Sequence, residues 1–332
     1  MHVDVKHLLT AARGSTARSG IERLPLLTPA EQTRLSWARR VESYDEVPEF
    51  YKSFVDALLL DTGAFPYLVL TPTFKGFFRP ENEKLVCSLG HEIHILERVG
   101  NRLVPTCYTV RNINYVEVGL ILLQAWITIR GIAGNGLLTS STLKFNAVTR
   151  YLFDPILDRL RSAPDSCPGV DLNAERAKFD HLCSLNFKFM NFARRALMPG
   201  ERVVHILLQP WIRARLLTIL GRSFFQTVSP AHLSILTDRE LIIIRDDSGP
   251  GWHNQARYGG IWNYVPLDKI RRVSLSKRND GLLVLSIHLP EEDHLDALFS
   301  ASMQRDVEEF LVQFEHLTPG VTNEAFLRGL GD

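Results

Sequence analysis

Two distant stretches of this chain carry the same apolar rhythm, and any fold must accommodate both. In Val110–Val118 and again in Leu267–Leu275 the first, fourth, seventh and ninth places are apolar. Upstream, Glu92-Ile93-His94-Ile95-Leu96 matches Glu240-Leu241-Ile242-Ile243-Ile244. Downstream, each copy passes through a β-rich run into V-x-x-[YF]-L, at Val148–Leu152 and Val307–Leu311. A shared order of hairpins followed by one helix makes internal duplication the economical explanation.

Short runs rich in Val, Ile, Tyr and Thr between turn residues predict antiparallel strands. In the first copy these lie at about 67–70, 84–88, 92–98, 107–110, 115–120, 125–130 and 138–145. In the second they lie at 203–208, 234–236, 241–246, 259–264, 270–275, 282–289 and 295–299. Gly90, Gly100 and the pair Gly134/Gly136 mark tight joints between strands. Thr28-Pro29-Ala30-Glu31 reads as a capping box opening a helix to about Ser43, and Pro48 opens a second to about Asp61. Val148, Tyr151, Leu152 and Ile156 predict one face of a helix that Pro155 kinks or divides. The stripe Val307, Phe310, Leu311 and Phe314 predicts a last helix packed on a sheet or barrel mouth.

Residues 162–169, reading SAPDSCPG, are the clearest interdomain break, and Asp171 then caps a helical pattern running to Leu197. The organisation expected is a tail and helical lead-in over 1–64, a first domain over 65–163, and a linker with a packing helix over 164–199. A second domain follows over 200–317, then a tail over 318–332. The phenylalanines of the linker, Phe179, Phe187, Phe189 and Phe192, are read as packing.

The repeated phrase Ile243-Ile244-Arg245, a gap, then Val265-Pro266-Leu267-Asp268-Lys269-Ile270-Arg271-Arg272-Val273 resembles bacterial pleckstrin-homology-like (PH-like) or GRAM-type domains. The first copy departs from it at Thr109 and lacks the proline. The resemblance implies an α+β, strand-rich chain with two PH-like split barrels, each closed by a C-terminal helix.

Net charge is +1, from 38 Lys and Arg against 37 Asp and Glu, which argues against a dedicated nucleic-acid binder. Within the second copy charge is segregated. Glu201 to Arg278 carries twelve Lys/Arg and six Asp/Glu, whereas Asp280 to Glu315 carries one Arg and nine acids. Arg213, Arg215 and Arg222 fall in the segment where eukaryotic PH domains bind phosphoinositides, and Arg271, Arg272, Lys277 and Arg278 could border it. These seven are the candidate anion or headgroup site, because guanidinium forks suit phosphate oxygens, with Trp211 as a membrane-interface candidate. The plainer reading makes the same arginines the polar face of a half-buried element.

No G-x-S-x-G elbow, P-loop or H-E-x-x-H helix is present, so no catalytic residue and no cofactor is assigned. His91 and His94 point to opposite faces of a strand. Glu291, Glu292 and Asp293, near His288 and His294, could gather oxygens for a hard cation, although a solvated acidic loop is the simpler reading, and no metal is assigned. Cys87, Cys107, Cys167 and Cys183 are too scattered for a disulfide framework. The first 20 residues lack a signal-peptide core, and Val118–Ile129 is too short to span a bilayer. The expectation is a cytoplasmic, non-catalytic binding or scaffold protein, recognising a protein partner or, peripherally, an anionic membrane surface. The alternative is a small-ligand or hydrolytic pocket between the domains.

Overall fold

Strands dominate, and among the described residues all but one of the strand pairings are antiparallel. The computed structural model describes residues 35–73, 81–161, 169–219, 222–246 and 259–323. The chain opens with β1 (Arg39–Val41) and helix α1 (Glu49–Thr62), followed by β2 (Tyr67–Thr71), β3 (Lys84–Leu89) and β4 (Glu92–Val99). Next come β5 (Arg102–Ile121), β6 (Gln124–Ala133), β7 (Leu138–Asn146), a 3-10 turn (Ala147–Phe153) and α2 (Asp154–Arg161). The helix expected to reach Ser43 is corrected. Its start lies outside the described residues, and Arg39–Val41 pairs with Leu68–Leu70 instead. Val41 is buried there with Tyr51 and Val55 of α1, a tertiary gain that outweighs local helix propensity.

The two strands expected at 107–110 and 115–120 are one long β5. Its first part pairs with β4, its last part with Gly259–Tyr264 of the second half, and β6 runs alongside. Register shifts between Tyr108 and Tyr115 mark the bend. The second half corners differently at the equivalent place. There β13 (Gly259–Pro266) ends in a 3-10 turn (Leu267–Lys269) before β14 (Arg272–Lys277). With the strand Arg39–Val41 and the hairpin 212–229 set aside, each half runs through four strand segments, then three, then a helix.

The linker pattern resolves into α3 (Leu172–Ala177), a 3-10 turn (Asp180–Leu182) and α4 (Cys183–Ala196). The expected Asp171 cap is present, its carboxylate accepting from the Asn173 N–H at 2.9 Å. Phe179 and Phe189 are buried, whereas Phe187 is exposed. The break placed over 162–169 lies, but for Gly169, outside the described residues.

The second half continues with β8 (Val203–Gln209), the hairpin β9 (Ile212–Ile219) and β10 (Arg222–Ser229), β11 (His232–Thr237) and β12 (Glu240–Arg245). After β14 come β15 (Leu283–His288), β16 (His294–Phe299), α5 (Gln304–Leu317) and β17 (Thr322–Asn323). One eleven-stranded sheet spans both halves, while β14–β17 form a separate four-stranded sheet. No closed barrel forms among the described residues. Among them, too, no helix is long and apolar enough to cross a membrane.

The sheet of β8, β11, β12 and β13 is covered on both faces. Leu207, Leu236, Leu241, Ile243 and Val265 pack toward β14–β16 and α5. Leu233, Ile235, Ile242, Ile244, Trp262 and Tyr264 pack with α4 and the first half. Two buried faces account for near-continuous apolar runs such as Leu241–Ile244. The stripe on α5 is buried as expected. The stripe expected after β7 is corrected: Val148 and Tyr151 are exposed, and Phe153, Ile156, Leu157 and Leu160 are buried. The 3-10 turn, with three residues per turn, rotates the apolar positions before Pro155 enters the first turn of α2.

Candidate functional site

The seven basic residues expected to form an anion site are dispersed. Arg213 is exposed on β9, and Arg215 and Arg222 lie along the same hairpin, with side chains outside the described set. Arg271 and Arg272 stand at one end of β14, Lys277 and Arg278 at the other, about 17 Å away at ~3.3 Å per residue. Arg272 approaches His288 at 3.4 Å, and Arg278 donates to Asp280 at 2.9 Å. Trp211 packs against the central core. The acidic loop does not gather its oxygens either. Asp293 is buried and accepts from Arg130 Nε at 2.9 Å and Asn114 Nδ2 at 3.2 Å, while Glu291 and Glu292 face solvent.

A different set of side chains does converge. In the antiparallel register His232 on β11 stands opposite Arg245 on β12, while Ser234 and Asn263 flank Ile243 in the next row. All five share one face, because alternate residues of a strand point the same way. Beneath that face lies a cavity of about 130 Å³ lined by Ser229, His232, Arg245, Asn263 and, from β16, Asp296 and Leu298. Three of its lining residues carry a buried polar atom with no hydrogen-bond partner, His232 Nε2, Arg245 Nε and Asn263 Oδ1, and Ser234 Oγ, on the same face of β11, has none either. Unpaired buried polar atoms cost about 1–3 kcal/mol each, so such a concentration asks for an explanation.

The roles of these atoms follow from their neighbours. His232 Nδ1 lies 3.4 Å from the Pro230 carbonyl, so Nδ1 carries the proton and Nε2 presents a lone pair. Burial holds this imidazole down at about 4, hence neutral near pH 7. Arg245 uses one terminal nitrogen on Glu117 Oε2 at 2.6 Å, and Trp126 Nε1 donates to Glu117 Oε1 at 2.9 Å. The cavity therefore offers two acceptors and one donor fixed across the seam between the halves.

No family model matches the chain, and no curated protein matches it in sequence. What the site can do rests on its own geometry. Sequence reasoning passed over His232 and Asn263 because each is an isolated polar residue in an apolar strand. The one local signal was Ser234, His232 and Arg245 standing at inward positions where the same strands otherwise carry Leu or Ile.

A second buried polar group ties the halves together away from this cavity. Arg161 at the end of α2 pairs with Glu240 on β12, donates to the Ala196 carbonyl at 2.6 Å, and lies 3.8 Å above the Tyr264 ring. Glu201 stands 4.0 Å from the same guanidinium. Burial, with the Glu240 charge adding to it, pushes the Glu201 carboxyl up to about 8 despite Arg161.

Proposed function

We propose that the chain is a non-catalytic binding protein of two PH-like units fused through a shared sheet, and that its second unit holds a small uncharged polar ligand. With β1 and the β9–β10 hairpin set aside, the order of four strand segments, three strands and a helix in each half supports the PH-like reading, as does the position of both corners within the matching stretches Val110–Val118 and Leu267–Leu275. The observation that carries the ligand is the convergence of three unpartnered buried polar atoms on one cavity. Two acceptors and one N–H donor match a primary carboxamide, whose two N–H bonds would reach His232 Nε2 and Asn263 Oδ1 while its carbonyl accepts from Arg245 Nε. A lone carboxylate would set its oxygens against two acceptors. Ser234 Oγ and His232 Nε2 are not bonded to each other, so the pair lacks the contact that activates a hydroxyl nucleophile, which favours binding over hydrolysis.

Saturation-transfer NMR with acetamide, nicotinamide and acetate tests this. The amides give signal, acetate gives far less, and Asn263→Leu abolishes the amide response. Equal response to acetate means binding without the expected selectivity, and no response together with a higher Tm in Asn263→Leu means that the cavity holds water alone; either outcome sinks the reading.

Recognition of an anionic surface is a second reading, favoured by one observation. Among the described residues β9 and β10 pair only with each other, and this hairpin carries Arg213, Arg215 and Arg222. Salt-sensitive cosedimentation with vesicles containing phosphatidylserine, weakened by Arg213→Glu with Arg215→Glu, supports it; equal binding to neutral vesicles counts against it. Binding to neither vesicle leaves a protein partner as the occupant of that hairpin.

A further inference from the structure

Glu92 and His94 stand two residues apart on β4, so their side chains leave the same face of the sheet. Cys107 on β5 is the direct cross-strand neighbour of His94. The three donor atoms gather. Glu92 Oε2 lies 3.1 Å from His94 Nε2, Cys107 Sγ lies 4.0 Å from the same nitrogen, and all three atoms fall within 4.8 Å of one another. Phe54 of α1 sets its ring edge-on to the His94 imidazole at 5.7 Å. His94 is buried, whereas the Glu92 side chain keeps 52% of its surface in solvent.

A Cys-His-carboxylate catalytic triad does not fit this arrangement. In a triad the carboxylate orients the ring through the nitrogen opposite the nucleophile, and here both partners face Nε2. That nitrogen has room for one proton or one metal. A proton can be shared with one neighbour; a metal ion joins all three. Donor atoms bound to a tetrahedral zinc at about 2.0–2.3 Å stand about 3.3–3.6 Å from one another. The separations of 3.1 and 4.0 Å bracket that spacing.

We propose that Glu92, His94 and Cys107 form a zinc site with three protein ligands and a fourth position open to solvent beside Glu92. A thiol, an imidazole and a carboxylate together suit zinc, whereas calcium and magnesium take oxygen donors. Binding replaces the Cys107 thiol proton with the metal, and the proton is released to water. Because binding releases that proton, zinc binds more tightly as pH rises. The site lies in the first half, and its test is independent of the cavity in the second.

The full chain is stripped with a chelator and titrated with Zn²⁺ alone, with Mg²⁺ as the comparison. One equivalent of zinc binds and magnesium does not compete. Co²⁺ in the same site produces a thiolate-to-cobalt charge-transfer band and the visible bands of a four-coordinate ion, both discharged by zinc. Cys107→Ser removes the charge-transfer band and weakens zinc at least about tenfold, as does His94→Leu. Cys183→Ser, whose thiol is exposed on α4, keeps the band. Strand substitutions can compromise folding, so wild-type protein supplies a second readout: zinc, not magnesium, slows iodoacetamide labelling of Cys107 as located by mass spectrometry. Substoichiometric uptake, a cobalt spectrum without a thiolate band, or Cys107 labelling indifferent to zinc overturns the proposal.

Discussion

Single buried residues set the pH response of this protein. The carboxyl of Glu201 sits near 4.5 in an unfolded chain and at about 8 in the fold, so the unfolded state ionises first. Its stabilising contribution is complete below about 4.5 and is lost as pH rises toward 8. Glu201→Gln should flatten this part of the stability curve, a change on the order of a few kcal/mol between those limits by denaturant melts. An unchanged slope would mean that Glu201 is ionised in the fold. His232 works in the opposite direction. Its folded-state value of about 4 lies below the ordinary 6.5, so stability is present above 6.5 and is lost on acidification toward 4. Asn263→Leu should leave that loss in place, whereas His232→Leu should remove it. None of these environments was legible residue by residue, since burial by a partner strand distant in sequence creates them. Glu92 and His94 show the same limit: His91, counted as part of the strand, lies in the turn before it, and Cys107 arrives from across the ladder.

At the scale of elements, local pattern carried further. The α5 stripe, the Pro48 helix start and the glycine joints were all readable, because periodicity and turn chemistry act over a few residues. Phe310→Ala empties a fully buried position on α5 and should cost about 3–5 kcal/mol in chemical denaturation. Val312, on the exposed side of the same helix, should tolerate alanine within about 0.5 kcal/mol. Where two elements meet, pattern falls short. Gly119 on β5 stands opposite Trp126 on β6, and a Cβ there would fall 2.0 Å from the indole. Gly119→Ala must displace Trp126 from Glu117, and with it the partner of Arg245. A loss of about 1–3 kcal/mol is expected, with a shift in Trp fluorescence; full stability in the variant would show that the indole has another place to go. The β9–β10 hairpin was read as one half-buried element, since its alternation is broken by the adjacent Leu216 and Leu217 at the bulge.

For the whole molecule the decisive contact is the pairing of β13 with β5, reinforced by Arg161 with Glu240 and by Asp293 with Arg130. From Ser36 onward the described residues pack as one compact unit. Calorimetry should therefore record one cooperative transition, with calorimetric and van't Hoff enthalpies in agreement. Residues 200–323 expressed alone would expose Leu233, Ile235, Ile242, Ile244 and Trp262, and should aggregate or elute as oligomers on size exclusion; a stable monomer would argue for independent domains. By itself, the sequence determined the strand-rich class and most strand and helix positions, because alternation, helical stripes and turn residues express preferences of short segments. Tertiary structure alone decided that the halves share one sheet, that the arginines scatter while His232, Arg245 and Asn263 converge, and that Cys107 meets His94. Strand register is set by which faces become buried, and that depends on partners more than a hundred residues away in the case of β5 and β13.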